Sequence, residues 1–103
     1  MSFDAIDVVF FAWAARHGLR ALRLSGGQQT RFCYVSAGVD ESFQISIEPP
    51  EAGIVFVNAW DVETHDDAEF HRAWQVPLSD LESALDGALQ QIATWAARPR
   101  QGR

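Results

Sequence analysis

The fold is decided by residues 42–62, SFQISIEPPEAGIVFVNAWDV. In the first part of this stretch Phe43, Ile45 and Ile47 alternate with polar residues, which predicts a strand with one buried and one polar face. From position 54 onwards apolar residues stand at odd and even positions alike, which favours a central strand covered on both faces. The segment 49–53 between them contains two prolines and a glycine and indicates a turn. The two strands should therefore be antiparallel neighbours.

The sequence on either side extends this pair into a meander. Apolar runs separated by turn signals predict strands at residues 19–25, 30–36, 42–48, 54–63 and 69–76. An N-terminal helix should end at Gly18, and a second helix should begin at a capping box, Ser79 to Glu82, and stop before Pro99. We predict an α+β fold: an N-terminal helix, an antiparallel meander sheet of about five strands and a C-terminal helix, with the helices packed on the sheet.

The last two strands can be placed in register if a loop of two or four residues joins them. The expected cross-strand pairs are Asp61–Arg72, Ala59–Trp74 and Val57–Val76. One sheet face then combines aromatic and β-branched residues with an arginine, a composition typical of interface cores. This candidate interaction surface consists of Val55, Val57, Phe70, Arg72, Trp74 and Val76. The opposite face receives Phe43, Ile45, Ile47, Ile54, Phe56 and Trp60.

Two arrangements of the helices remain open at this point. The helices can divide between the two faces of the sheet and bury both within one chain. Alternatively they share one face, and a second molecule covers the other. The length favours a single domain, residues 1–98, followed by a flexible basic tail, residues 99–103.

The charge balance excludes several functions. The chain has 103 residues, a net charge of −6 and a pI near 4.8, which disfavours binding to a phosphate backbone. The remaining nucleic-acid hypothesis would use Arg16, Arg20, Arg23 and the tail. All eight basic residues are Arg, so a Walker A loop and Schiff-base lysine chemistry are both excluded.

The apolar run 8–15 predicts a buried helix and no membrane segment. It follows Asp4 and Asp7, where a signal peptide would carry positive charge, and it is far shorter than a bilayer-spanning helix. The single cysteine, Cys33, cannot form an internal disulfide, so we expect a reducing, cytoplasmic environment.

Two groups of residues are candidates for chemistry. The last hairpin contains a dense group of histidine and carboxylate side chains: Glu63, His65, Asp66, Asp67, Glu69 and His71. Side chains of these types can bind a divalent metal. They lack a recognised ligand spacing, so a solvated turn is the preferred interpretation. Cys33 could pair with a histidine, but a lone cysteine in an apolar strand is more often a core residue. We predict no metal, no cofactor and no catalytic residue.

These observations favour a small, acidic, non-catalytic protein–protein interaction module, expected to be a homodimer. In size and acidity the chain is similar in a general way to bacterial secretion chaperones and toxin-neutralising immunity proteins. Chaperones of that kind carry a further helix within the sheet region, which is not predicted here. The alternative is a small-ligand or metal-binding domain with a pocket between sheet and helices. Asn58, Asp61, His71 and Arg72 would lie at its mouth.

Overall fold

The computed structural model describes residues 4–24, 30–36, 41–62 and 70–97. The elements are α1 (Asp4–Arg16), β1 (Ala21–Leu24), β2 (Thr30–Ser36), β3 (Glu41–Glu51), β4 (Ile54–Asp61), β5 (His71–Pro77) and α2 (Leu81–Ala97). The strands form one antiparallel sheet in the order β1-β2-β3-β4-β5, so the predicted α+β meander is confirmed. The predicted tail and the acidic hairpin tip at 63–69 lie outside the described residues.

A Schellman motif ends α1. Gly18 has a φ of +68°, which glycine adopts without steric cost. The Leu19 amide donates to the Ala14 carbonyl at 2.8 Å, and the Gly18 amide donates to the Ala15 carbonyl at 3.2 Å. Both bonds belong to this motif, and they confirm Gly18 as the residue that ends the helix. The helix is covered on one side only, because Val8 on its other side is 73% exposed.

The β3–β4 hairpin is tighter than predicted. We expected a turn over 49–53, but β3 continues through both prolines, and Glu51 pairs with Ile54. The turn consists of Ala52 and Gly53, with φ of 51° and 81°. Positive φ at both residues is the geometry of a type I′ hairpin turn. The register shifts between Glu48 and Glu51, where the prolines cannot supply ladder hydrogen bonds.

The predicted register of β4 and β5 is wrong by two residues. Arg72 faces Ala59 rather than Asp61, Trp74 faces Val57, and Val76 faces Val55. Because side chains alternate with a period of two, this slip of two residues does not change which side chains of β4 and β5 share a face.

The predicted division of the two sheet faces is also wrong. Phe43, Ile45 and Ile47 face Asp61, Ala59 and Val57 on β4. These β3 side chains therefore share the face of Val55 and Val57 and do not lie opposite it. Both helices pack on this one face, so the shared-face arrangement is the one that the structure shows. Their buried side chains join those of the strands in a single core: Ile6, Phe10 and Trp13 from α1, and Leu81, Leu85, Ile92 and Trp95 from α2.

Polar contacts also fix α1 against α2 and against the sheet. The Trp13 indole donates to an Asp86 carboxylate oxygen at 2.8 Å. On β2, the Arg31 guanidinium pairs with Asp7 through Nε at 2.7 Å and Nη2 at 3.3 Å.

The start of α2 differs from the predicted capping box. Residues Leu78–Asp80 form a 3-10 turn before the helix, and they include the predicted capping residue Ser79. The carboxylate of Glu82 pairs with Arg16 of α1. The side chain that was expected to reach back to the cap therefore links the two helices.

Gly87 lies where α2 packs against Trp74 of β5. A Cβ built at this position would lie 3.5 Å from Trp74 Nε1, an ordinary van der Waals distance. Substitution Gly87→Ala should therefore raise the free energy of unfolding by about 0.5–1 kcal/mol, because alanine favours the helix and fits the space. Urea denaturation measures this difference. A loss of stability would show that the helix lies closer to Trp74 than the structure indicates.

Candidate functional site: the open face of the sheet

The sheet face opposite the helices carries large side chains that no described helix or strand covers. We call it the open face, and none of its residues belongs to the buried core. According to the strand register, its described side chains are those of Leu22, Thr30, Phe32, Tyr34, Gln44, Ser46, Glu48, Glu51, Ile54, Phe56, Asn58, Trp60, His71, Ala73, Gln75 and Pro77.

The open face has two aromatic columns with a polar strip between them. On β2, Phe32 and Tyr34 meet edge to face, with ring centroids 5.7 Å apart. On β4, Phe56 and Trp60 form the second column. The strand between the two columns, β3, presents only polar side chains on this face. The register aligns Phe32 with Ser46 and Tyr34 with Gln44 across the sheet. Ser46, on the middle strand and in the middle row, lies at the centre of the face.

A shallow depression of about 290 Å³ lies on one side of this polar strip. Its lining residues are Ser46, Glu48, Asn58, Trp60 and His71. His71 Nε2 on β5 lies 3.4 Å from Asn58 Oδ1 on the neighbouring strand β4. The depression can therefore offer amide, hydroxyl and imidazole hydrogen-bonding groups beside an indole ring.

The open face is almost free of charge. Charged residues make up 21% of the chain, yet among the open-face residues whose side chains the structure describes only Glu48 and Glu51 carry a formal charge. Both lie towards the β3–β4 turn. The other polar side chains are amides, hydroxyls and one imidazole, each of which can donate and accept a hydrogen bond. A surface with aromatic residues and few charges resembles the core of an interface.

The candidate interaction surface from the sequence lies on the other face, beneath α2. Val55 and Val57 are fully buried there. Phe70, Trp74 and Val76 are partly buried and pack against the same core. Arg72 is exposed: its guanidinium lies 4.9 Å from the centre of the Trp74 ring and donates to Gln91 Oε1 at 3.0 Å. The arginine and its aromatic neighbour thus form a contact with α2 within one chain.

The residues of the alternative ligand pocket are divided between the two faces. Asn58 and His71 come together on the open face. Asp61 is fully buried and Arg72 is exposed, and both lie on the helical face. The predicted pocket between sheet and helices is occupied by core side chains such as Phe10 and Trp13.

Within the described ranges, no group of three or more histidine, cysteine, aspartate or glutamate side chains is placed to hold a metal ion. Of the six candidate metal ligands at the last hairpin, only His71 lies in the described part of the chain.

Cys33 lies on the helical face as a fully buried core residue. Burial raises the pKa of its thiol from 9.0 to about 12, against a smaller lowering by a backbone hydrogen bond with Ile45. Because a neutral thiol is a poor nucleophile, Cys33 has the properties of a core residue and not those of a reactive cysteine.

This raised pKa predicts two results. At pH 8 the folded chain should react with a thiol reagent far more slowly than the chain in denaturant. The unfolded chain ionises at a lower pH than the folded one, so the Cys33 contribution to stability is complete below pH 9.0 and is lost as pH rises towards about 12. Urea denaturation across this range, with Cys33→Ala as the control, measures the effect. Equal alkaline losses in both proteins would contradict it.

Sequence reasoning missed Phe32, Tyr34 and Ser46 as members of a site. For Phe32 and Tyr34 the signal was present, because they alternate with the buried Cys33 and Val35. A strand with apolar or aromatic residues on both faces has one set that the core on the other face cannot bury.

The fold and this face define a class of protein: a small α+β domain with both helices on one side of an antiparallel sheet. None of the helices within the described ranges is long and apolar enough to cross a membrane. Compared with known proteins, the chain matches no protein-family model. No curated protein and no solved structure gives a significant match.

Proposed function

We propose that this chain is a small, non-catalytic protein–protein interaction module that binds its partner through the open face. The observation that carries the proposal is an aromatic, nearly uncharged sheet face that no described element covers. Tyr34 is 38% exposed, and Phe32, Phe56 and Trp60 are partly exposed. A partner that covers this face would bury their remaining apolar area, at about 25 cal/mol per Å², and binding results where this gain exceeds the cost of association.

A protein partner fits this face better than a nucleic acid does. Exposed aromatic residues on a sheet can stack on bases, but such platforms work together with basic side chains that neutralise phosphates. The described open face presents no arginine, and its two formal charges, Glu48 and Glu51, are negative. The net charge of −6 adds to the repulsion of a phosphate backbone.

The mode of action follows from this surface. A chaperone-like or immunity-like protein acts by covering a partner's surface rather than by changing it chemically, and an apolar face suits that role. We place this activity in the cytoplasm, where a chain with one buried, unpaired thiol would remain reduced.

Capture of binding proteins with matched variants tests the proposal. Tyr34→Arg puts a charge on the open face at a residue that is 38% exposed, and Val8→Arg puts the same charge on the outer side of α1. We expect the proteins retained by the unmodified chain to be retained by Val8→Arg and lost with Tyr34→Arg. Retention of the same proteins by all three chains would contradict binding through the open face.

The depression beside Asn58 and His71 supports a second candidate, a small polar ligand. Its volume of about 290 Å³ is close to the lower end of ligand pockets, about 300–1,000 Å³. A thermal-shift screen of metabolites and divalent cations tests it, with His71→Ala as the variant that should abolish any shift. An unchanged melting temperature with every compound would exclude this candidate.

A further inference from the structure

We infer that the open face binds a second copy of this chain, so that two sheets pack face to face about a twofold axis that passes over Ser46. This inference rests on the proposed function and names its partner. Three properties of the face support it: its size, its charge distribution and the hydrogen-bonding capacity of its polar side chains.

The size of the face suits a dimer. Five strands spaced about 4.8 Å apart, each with about seven residues of 3.3 Å rise, give a face of about 550 Å² in plan. The accessible area is larger because the side chains project from it. Two such faces would bury about 1,100 Å² in plan, which exceeds the threshold of about 1,000 Å² for a biological interface.

The charge distribution allows two acidic chains to meet. Each copy carries a net charge of −6, so most pairs of surfaces would repel each other. This repulsion is reduced at the centre of the open face, because the two carboxylates among its described side chains, Glu48 and Glu51, lie towards one end. If the axis runs across the strands, the copies are antiparallel, and each Glu48 lies over the Gln44 end of the other copy. The Gln44 amide can then donate to that carboxylate.

The polar side chains can also pair with copies of themselves. In a twofold interface the same patch meets itself, so a group near the axis must complement its own copy. The Ser46 hydroxyl and the Asn58 amide can each donate and accept, whereas a carboxylate or a guanidinium could not pair with its own kind. Aromatic columns then meet aromatic columns, and the polar strip meets the polar strip. Aligned packing of two sheets is a common arrangement in sandwich proteins.

Opposite charges at Ser46 test the inference. Wherever the axis points within the interface, a residue at the centre of the face meets its own copy. Ser46→Glu and Ser46→Lys should therefore each weaken dimerisation by at least about tenfold, because like charges are brought together. An equimolar mixture of the two variants should restore the dimer as a heterodimer. Sedimentation equilibrium measures all three samples, and circular dichroism verifies that each variant is folded.

The matched control is the pair Val8→Glu and Val8→Lys, which should dimerise like the unmodified chain. A monomeric unmodified chain up to millimolar concentration would overturn the inference, as would variants at Ser46 that weaken the dimer but fail to associate when mixed. If a Ser46 variant does not fold, Tyr34→Glu should weaken the dimer, and an unchanged dimer would again overturn it. The proposed function is judged separately: if capture of another protein still depends on Tyr34, the open face binds a partner other than its own copy.

Discussion

Replacing Trp13 by alanine is expected to lower the free energy of unfolding by about 4 kcal/mol. Trp13 is fully buried between α1, α2 and the sheet. Its ring stacks on Phe10 at 6.4 Å and lies 4.8 Å from the His17 ring. Alanine would leave a cavity at the point where the two helices meet, and it would also remove the hydrogen bond to Asp86.

Asp86→Ala separates these two contributions. It removes the acceptor of the indole hydrogen bond, and with it the 3.7 Å contact to His17 Nε2, but keeps the packing. Because the Asp86 side chain is 57% exposed, we expect a loss of about 0.5–1.5 kcal/mol. Val8→Ala, on the exposed side of the same helix, should change stability little. Urea denaturation of the three variants gives the comparison. A Trp13→Ala loss no larger than that of Asp86→Ala would mean that packing at this junction contributes little to holding the helices on one face.

Replacing Arg31 by methionine is expected to lower the free energy of unfolding by about 3 kcal/mol. The side chains of Arg31 and Asp7 are only 11% and 18% exposed, and they form a two-bond ion pair between β2 and α1. Methionine would keep most of the side-chain volume but leave the Asp7 carboxylate in a largely buried position without its guanidinium.

Two further variants show whether the loss has this origin. The double substitution Asp7→Leu with Arg31→Met removes both charges and should recover most of the stability. The Arg16–Glu82 pair is the matched control, because its side chains are 53% and 58% exposed. Arg16→Met should cost less than about 1 kcal/mol, as is usual for ion pairs in contact with solvent. Equal losses for Arg16→Met and Arg31→Met would contradict the role assigned to burial.

The order of the elements could be predicted from the sequence because each element has its own local signal. Alternation identified β3, and Gly18 identified the end of α1. The register of β4 and β5 could not be predicted in the same way. Registers that differ by two residues place the same side chains on the same face, so the hydrophobic pattern does not distinguish them.

The division of the sheet faces depended on one turn. A turn over 49–53 leaves the relation between β3 and β4 undefined. The observed two-residue turn at Ala52–Gly53, with the register shift at the prolines, places Ile47 opposite Val57. The pattern of β4 correctly indicated two apolar faces, but the described elements cover only one of them, not both as predicted. It could not show which of them the helices cover, because that depends on contacts between elements that are distant in the sequence.

The candidate site therefore lies on the face of β4 opposite the one that was predicted to be the interaction surface. Phe56 and Trp60 were predicted to share a face with Phe43 and Ile45, but the register places them on the opposite, open face. Burial of Val55 and Val57 beneath α2 leaves this second apolar set without a covering element in the described part of the chain. A two-sided apolar strand with both helices on one side is the feature that connects the fold to the proposed binding.

Hydroxyl-radical footprinting of the unmodified chain, at a concentration below dimerisation and at one well above it, tests the central claim most directly. Tyr34 and Trp60 should be oxidised more slowly at the high concentration, because the second copy covers the open face. Val8, on the outer side of α1, should react equally at both concentrations and serves as the internal reference. Equal oxidation of Tyr34 and Trp60 at the two concentrations would contradict the account, because it would mean that a second copy leaves the open face uncovered.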